Sequence, residues 1–185
     1  MTSMLAIEEH WLTLARRVPS THYNERPEGV TPRLLVVHNI SLPPGEFGGD
    51  YIDQLFTGTL CADEHPYFAD IAGLRVAAHC LIRREGEIVQ YVPFDKRAWH
   101  AGQSCYQGVE NCNDFSIGIE LEGTDDLPYT EEQYQALSQI TQSLVKYYGL
   151  KYEDITGHSD IAPGRKTDPG AAFDWRHFHS LITAY

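Results

Sequence analysis

The sequence predicts a mixed α/β domain: one central mixed β-sheet flanked by helices. Three observations carry that expectation. Leu34-Leu35-Val36-Val37 is a short, continuously apolar run, the pattern of a strand covered on both faces. Phe115 to Glu122 alternates apolar and polar residues with a period of two. Two capped helical stripes lie in the C-terminal third, so strands and helices are interspersed along the chain. With 185 residues the chain fits a single domain, 1–185, and contains no internal repeat or polar linker. A chain of this size buries roughly 70% of its unfolded surface, enough for a core without disulfide staples.

In chain order, Trp11-Leu12-Thr13-Leu14-Ala15 is compatible with a short helix. Pro19, Pro27, Gly29 and Pro32 make the rest of residues 1–32 an irregular wrap. After the Leu34 strand, residues 41–73 are rich in Pro, Gly and Asp. They read as a long surface excursion with a short helix at Tyr51 to Phe56, and loops of that length are usually functional. Ala78 to Arg84 and Glu87 to Val92 flank Glu85-Gly86 and predict a hairpin. In the next strand Phe115, Ile117, Ile119 and Leu121 face one way, and Ser116, Gly118, Glu120 and Glu122 the other. Thr130 with Gln133 forms a capping box. The helix it opens carries Tyr134, Leu137, Ile140, Leu144, Val145 and Tyr148 on one stripe and stops at Gly149. Asp174 caps a last helix with Trp175, Phe178, Leu181 and Ile182 inward.

Composition narrows the function. Fourteen Lys and Arg against 26 Asp and Glu give a net charge of −12. Nucleic acid and anionic membranes reward a basic face, so neither is expected as a partner. An acidic substrate needs a local cationic pocket. The apolar opening Met1 to Ile7 is interrupted by Glu8, Glu9 and His10 before a signal-peptide core forms. No run approaches the roughly 18 apolar residues of a membrane span. Cys61, Cys80, Cys105 and Cys112 contain no C-x-x-C pair and read as small buried thiols in a reduced compartment, with two disulfides as the alternative. The expectation is a cytoplasmic monomer.

A few residues can carry chemistry. His38 directly follows the apolar strand, a place where histidines are more often surface or hydrogen-bonded groups than ligands. Glu120 lies mid-strand, where the ordinary reading is a solvated carboxylate, and Glu122 shares its face as a decoy. Between Thr156 and Gly170 two Pro-Gly pairs pin a loop holding His158, Lys166 and Asp168. Pro169 pushes Asp168 into an extended conformation, so Lys166 and Asp168, two apart, share a face. If His38, His158 and Asp168 converge, two imidazoles and a carboxylate form a three-ligand zinc site with an open fourth position. Glu120 is then suited to be a general base, and Lys166 to stabilise an oxyanion. Spacing alone is a weak warrant, because nothing here is as tight as H-E-x-x-H. His10, His22, His65, His177 and His179 read as surface or packing residues, and His79 as structural.

Longer motifs sharpen this. Leu34 to Gly49 (LLVVHNISLPPGEFGG), Ala98 to Gly102 (AWHAG), Phe115 to Gly123 (FSIGIELEG) and the loop from His158 to Gly170 resemble the 1,6-anhydro-N-acetylmuramoyl-L-alanine amidases. These are zinc amidases of the peptidoglycan recognition protein-like, amidase type 2 fold, and the likeness runs from about Trp11 to the last helix. The resemblance implies zinc-dependent cleavage of the amide between the lactyl group of anhydro-muramic acid and L-alanine of the stem peptide. It places that step in cytoplasmic cell-wall recycling, where it lowers the muropeptides that induce β-lactamase. Carried over residue by residue, His38, His158 and Asp168 match the metal ligands, Glu120 the catalytic glutamate and Lys166 the lysine that stabilises the intermediate. Asn39, Arg75, Trp99 and His100 fall in substrate-contacting segments. Arg75, Lys96, Arg97 and Arg165 are candidates to offset the acidic surface around a muropeptide. Asn111 departs from the pattern, standing where relatives carry arginine near a peptide carboxylate. Two alternatives are a non-catalytic muropeptide-binding or regulatory module on the same fold, which the complete residue set disfavours, and an exported amidase.

Overall fold

The computed structural model of the protein describes residues 5–183. Six strands form one mixed sheet. At its centre Ser116–Glu122 runs parallel to Leu34–Ile40 on one side and to Cys80–Ile82 on the other. Ile155–Gly157 extends the sheet beyond Leu34–Ile40, again parallel. On the other flank Ile88–Gln90 pairs antiparallel with Cys80–Ile82 through the predicted hairpin, and Arg16–Arg17 closes that edge. Gly86 turns the hairpin at φ +88°, a value L side chains seldom adopt.

Helices cover one face. The Glu131–Tyr148 helix opens on the Thr130–Gln133 capping box and ends at Gly149, φ +73°. Its buried Leu137, Ile140 and Leu144 pack on Ile117, Ile119 and Leu121 of the central strand, together with Phe178 and Ile182 of the Trp175–Ile182 helix. Asp174 accepts a hydrogen bond from the His177 amide, the predicted cap.

On the opposite face lies a second apolar layer. Residues 41–73 are a packed segment here: Leu42, Ile52, Leu55, Phe56, Leu60 and Phe68 bury against Leu81, Val89 and Tyr91. Their helix spans Tyr51–Thr57, one residue past the predicted end. This cover explains why every residue of Ser116–Glu122 is buried although only alternate residues are apolar. The polar face of that strand meets protein, not water.

Two expectations are corrected. Trp11 to Ala15 forms no helix; Trp11–Leu12 pairs with Ile7–Glu8 around a turn at Glu9 and His10, both at positive φ. Tertiary contact overrides local propensity there, since Leu12 is fully buried and its amide donates to Gln90 Oε1 at 2.7 Å. All four cysteines are free, yet only Cys80 and Cys112 are buried while Cys61 and Cys105 are exposed. The first four residues of the apolar opening lie outside the described residues. Among the described residues, no helix is long and apolar enough to cross a membrane.

Candidate metal and active site

Strand register builds the site. Glu120 pairs with His38 across the parallel centre of the sheet, and Gly157 pairs with Val37, so His158 follows beside His38. Three functional side chains thus stand in a row at the carboxyl ends of adjacent parallel strands, where ligands bind in open α/β sheets. The fourth arrives on the loop after the four-residue His158–Ile161 helix. Asp168 is anchored there by its own carbonyl, which accepts from the Ser159 amide at 3.0 Å. The Pro169 carbonyl accepts from Tyr129 Oη at 2.7 Å and from Asn39 Nδ2 at 3.3 Å. Asn39 Nδ2 also reaches Asp125 Oδ1 at 2.7 Å. Gly170, at φ +81°, lets the loop close: a Cβ there would sit 2.2 Å from Asp125 Cα.

The result is tight convergence. His38 Nδ1 and His158 Nδ1 are 3.0 Å apart, and each lies 3.2 Å from Asp168 Oδ2. His158 presents Nε2 to the Ala101 carbonyl at 2.9 Å. A carbonyl only accepts, so that nitrogen carries the proton and Nδ1 turns a bare lone pair toward His38 and Asp168. Lone pairs and a carboxylate crowded at this distance repel one another unless a cation or proton sits among them. With two buried imidazoles and one half-buried carboxylate, the trio fits a zinc ion that keeps a further position open.

Electrostatics agree with the geometry. Burial pushes the His38 imidazole down to about 4, so it is a neutral donor at physiological pH. Burial works to raise the Asp168 carboxyl, but the close contacts of its Oδ2 with His158 and His38 overcome it and hold it below the carboxylate range. Glu120 shows the reverse. Its Oε1 is 3.9 Å from His38 Nδ1, and its buried Oε2 has no hydrogen-bond partner. Burial, reinforced by the Asp168 charge and opposed by Lys166, raises its pKa well above the usual value.

These groups open into a cleft of about 680 Å³. One wall is apolar, with Leu42, Phe56 and Ile71; the other carries Asp125, Lys166 and Thr167. Lys166 is exposed on the same loop as Asp168 and lines the cleft with Glu120. Asn39, Trp99 and His100 also line it. Asn39 spends its amide on the Asp125 and Pro169 contacts. His100 lies behind His38, its Nδ1 2.9 Å from His38 Nε2.

Other expected cations stand elsewhere. Arg75 is exposed and stacks over Trp99, outside the lining. Lys96 pairs with Glu25 at 2.8 Å and Arg97 with Asp114 at 2.6 Å, so neither faces the cleft. Of that group only Arg165 reaches it. Glu122, the decoy, is a buried partner of Arg83 at 3.0 Å. Asn111 is exposed at φ +57°, a left-handed conformation asparagine tolerates better than arginine. Sequence reasoning missed Asp125, Tyr129, Asn113 and the Ala101 carbonyl. Only Asp125 and Tyr129, near the strand's end and the helix cap, carried any positional signal.

This fold and this donor set define a class. Residues 28–171 match the family model for N-acetylmuramoyl-L-alanine amidases, and the chain belongs to that family. Within it, the chain is 66% identical over 179 residues to the 1,6-anhydro-N-acetylmuramyl-L-alanine amidase AmpD of Escherichia coli K12, covering 97% of this chain and 98% of that one. A crystal structure of a Se-Met AmpD derivative superposes with a TM-score of 0.95 at 66% identity, covering 97% of this chain and 100% of the other. A more distant structure is the E. coli amidase AmiD complexed with anhydro-N-acetylmuramic acid-L-Ala-D-γ-Glu-L-Lys. It matches with a TM-score of 0.61 at 26% identity, over 96% of this chain and 65% of that one.

Proposed function

We propose that this protein hydrolyses the amide between the lactyl group of 1,6-anhydro-N-acetylmuramic acid and L-alanine of the stem peptide, with zinc as its cofactor. The carrying observation is the meeting of His38, His158 and Asp168 beside a buried, unpartnered Glu120 carboxylate. The near-full-length likeness to AmpD and the anhydro-muropeptide bound to AmiD support the substrate class.

His38, His158 and Asp168 hold the zinc. When bound, zinc supplies Lewis acidity, which polarises a carbonyl oxygen and makes water a nucleophile near neutral pH. The remaining chemistry belongs to the chain. Glu120 takes the proton of the attacking water on Oε2 and returns it to the departing alanine nitrogen. Its raised pKa suits both transfers, since a carboxylate of ordinary pKa is too weak a base. Lys166 holds positive charge on the same cleft wall, where it stabilises the oxyanion that forms at the scissile carbonyl. Trp99 offers an aromatic face to the substrate, with Arg75 over its ring.

The enzyme acts as a monomer in the cytoplasm, on cell-wall fragments and not on nucleic acid or membrane. By consuming them it lowers the muropeptides that induce β-lactamase. Elemental analysis of protein purified without chelator, together with release of free peptide from anhydro-muropeptide, tests the reading. One zinc per chain and peptide release are expected. Muropeptide binding with no peptide released over hours would overturn it.

A further inference from the structure

Behind the three donors lies a two-residue element that touches both imidazoles. His38 Nε2 meets His100 Nδ1 at 2.9 Å, and His158 Nε2 meets the carbonyl of Ala101, the next residue, also at 2.9 Å. The pair is clipped from behind. Asn113 Oδ1 accepts from the His100 amide at 3.1 Å and from the Ala101 amide at 2.8 Å. His100 continues outward through Nε2 to Ser116 Oγ at 3.0 Å. Its ring lies against Gly118 of the central strand, where a Cβ would stand 2.5 Å from His100 Cγ and Nδ1. The absence of a side chain at Gly118 therefore sets how closely His100 can approach.

Tautomer logic gives these contacts a direction. A histidine that binds a cation through Nδ1 has its proton on Nε2, so His38 must donate to His100 Nδ1. His100 then carries its own proton on Nε2 and donates to Ser116. The His158 tautomer is fixed in the same sense by the Ala101 carbonyl.

We infer that the His100–Ala101 element, clipped by Asn113, is the positioning device that turns Nδ1 of both His38 and His158 toward the metal. His100 is thus a positioning residue. This rests on the zinc-site reading above. It adds the prediction that His100 controls metal affinity independently of turnover.

The test measures zinc affinity by competition with a chromophoric chelator, and the visible spectrum of the cobalt-substituted protein. His100→Phe retains ring volume but gives His38 no acceptor. Outer partners of metal-bound histidines are worth about 10–100-fold in affinity, and a loss of that size is expected with a shifted cobalt spectrum. His100→Asn returns an oxygen acceptor near the Nδ1 position and should recover most of the affinity. Ser116→Ala, which removes a single oxygen beyond His100, should weaken zinc by several-fold and keeps the test open if His100→Phe does not fold. Wild-type affinity in either His100→Phe or Ser116→Ala overturns the assignment. So does His100→Asn binding as weakly as His100→Phe. A wild-type protein without one tightly bound zinc overturns the site reading itself, and this inference with it.

Discussion

Glu120→Gln isolates the base from everything around it. The two side chains have nearly the same volume, and the carboxylate makes no hydrogen bond through Oε2 that the amide would break. Glu120 Oε1 lies 3.9 Å from the His38 nitrogen, near the donor trio but outside it. Zinc content should therefore be unchanged while turnover collapses. A positioned general base contributes about 10²–10⁴-fold, equivalent to roughly 3–5 kcal/mol of barrier, and that loss should fall on kcat. The assay is peptide release from anhydro-muropeptide at saturating substrate, with metal content measured on the same sample. A variant that keeps its zinc and the native rate refutes Glu120 as the base.

The same residue predicts two pH effects. As a base Glu120 must be ionised, so kcat/KM should fall on the acid side below its raised pKa, at higher pH than an ordinary glutamate allows. The sign for stability follows from linkage. A carboxyl raised by folding binds more protons in the native state, so its contribution is present below the unfolded pKa and lost as pH rises through the folded one. Metal-free Glu120→Gln should thus resist denaturant better than metal-free wild type at neutral pH, by about 1–3 kcal/mol for a relieved buried charge. Near pH 4 the two should converge. An advantage of the same size at both pH values would show that the charge is not its source.

Replacing His38, His158 or Asp168 with alanine should abolish both bound zinc and hydrolysis; stoichiometric metal in any of the three excludes that residue as a ligand. Gly118→Ala drives a methyl into the His100 ring and should cost about 1–3 kcal/mol in urea unfolding, with weaker zinc binding. Burial holds His79 down at about 3, so the metal-free protein should lose stability as pH falls from about 6.5 toward 3, when the unfolded chain gains a proton the native state refuses. His79→Asn keeps an acceptor for the Gly118 amide and should flatten that limb in denaturant midpoints taken at several pH values. Anhydro-muropeptide should be cleaved faster than its reducing-end counterpart, and equal rates would contradict the proposed preference.

Periodicity and capping make much of this fold legible in the sequence. The Thr130–Gln133 box, the Gly149 stop, the Asp174 cap and the Glu85-Gly86 hairpin all depend on residues within a few positions of each other, and all appear in the fold. Trp11 to Ala15 was misleading for the opposite reason. Its conformation is fixed by Gln90, 78 positions from Leu12. Lys96 and Arg97 misled similarly, because charge is visible in a sequence and the partner that neutralises it is not.

The central strand shows where that boundary falls. Alternation correctly sorted Ile117, Ile119 and Leu121 from Ser116, Gly118, Glu120 and Glu122, yet it implied water on the second side. Water there would leave Glu120 an ordinary surface acid and His38 a titrating imidazole. The fold instead closes that side with residues 41–73 and the His100–Ala101 segment, and this closure gives the polar residues separate roles. Glu122 gains Arg83 and becomes structural, while Gly118 makes room for a histidine ring. Glu120 alone receives burial without a partner. The chemistry of this site thus comes from an unequal distribution of partners along one strand. Period-two patterning cannot encode that inequality, because it depends on which distant segment each side chain happens to face.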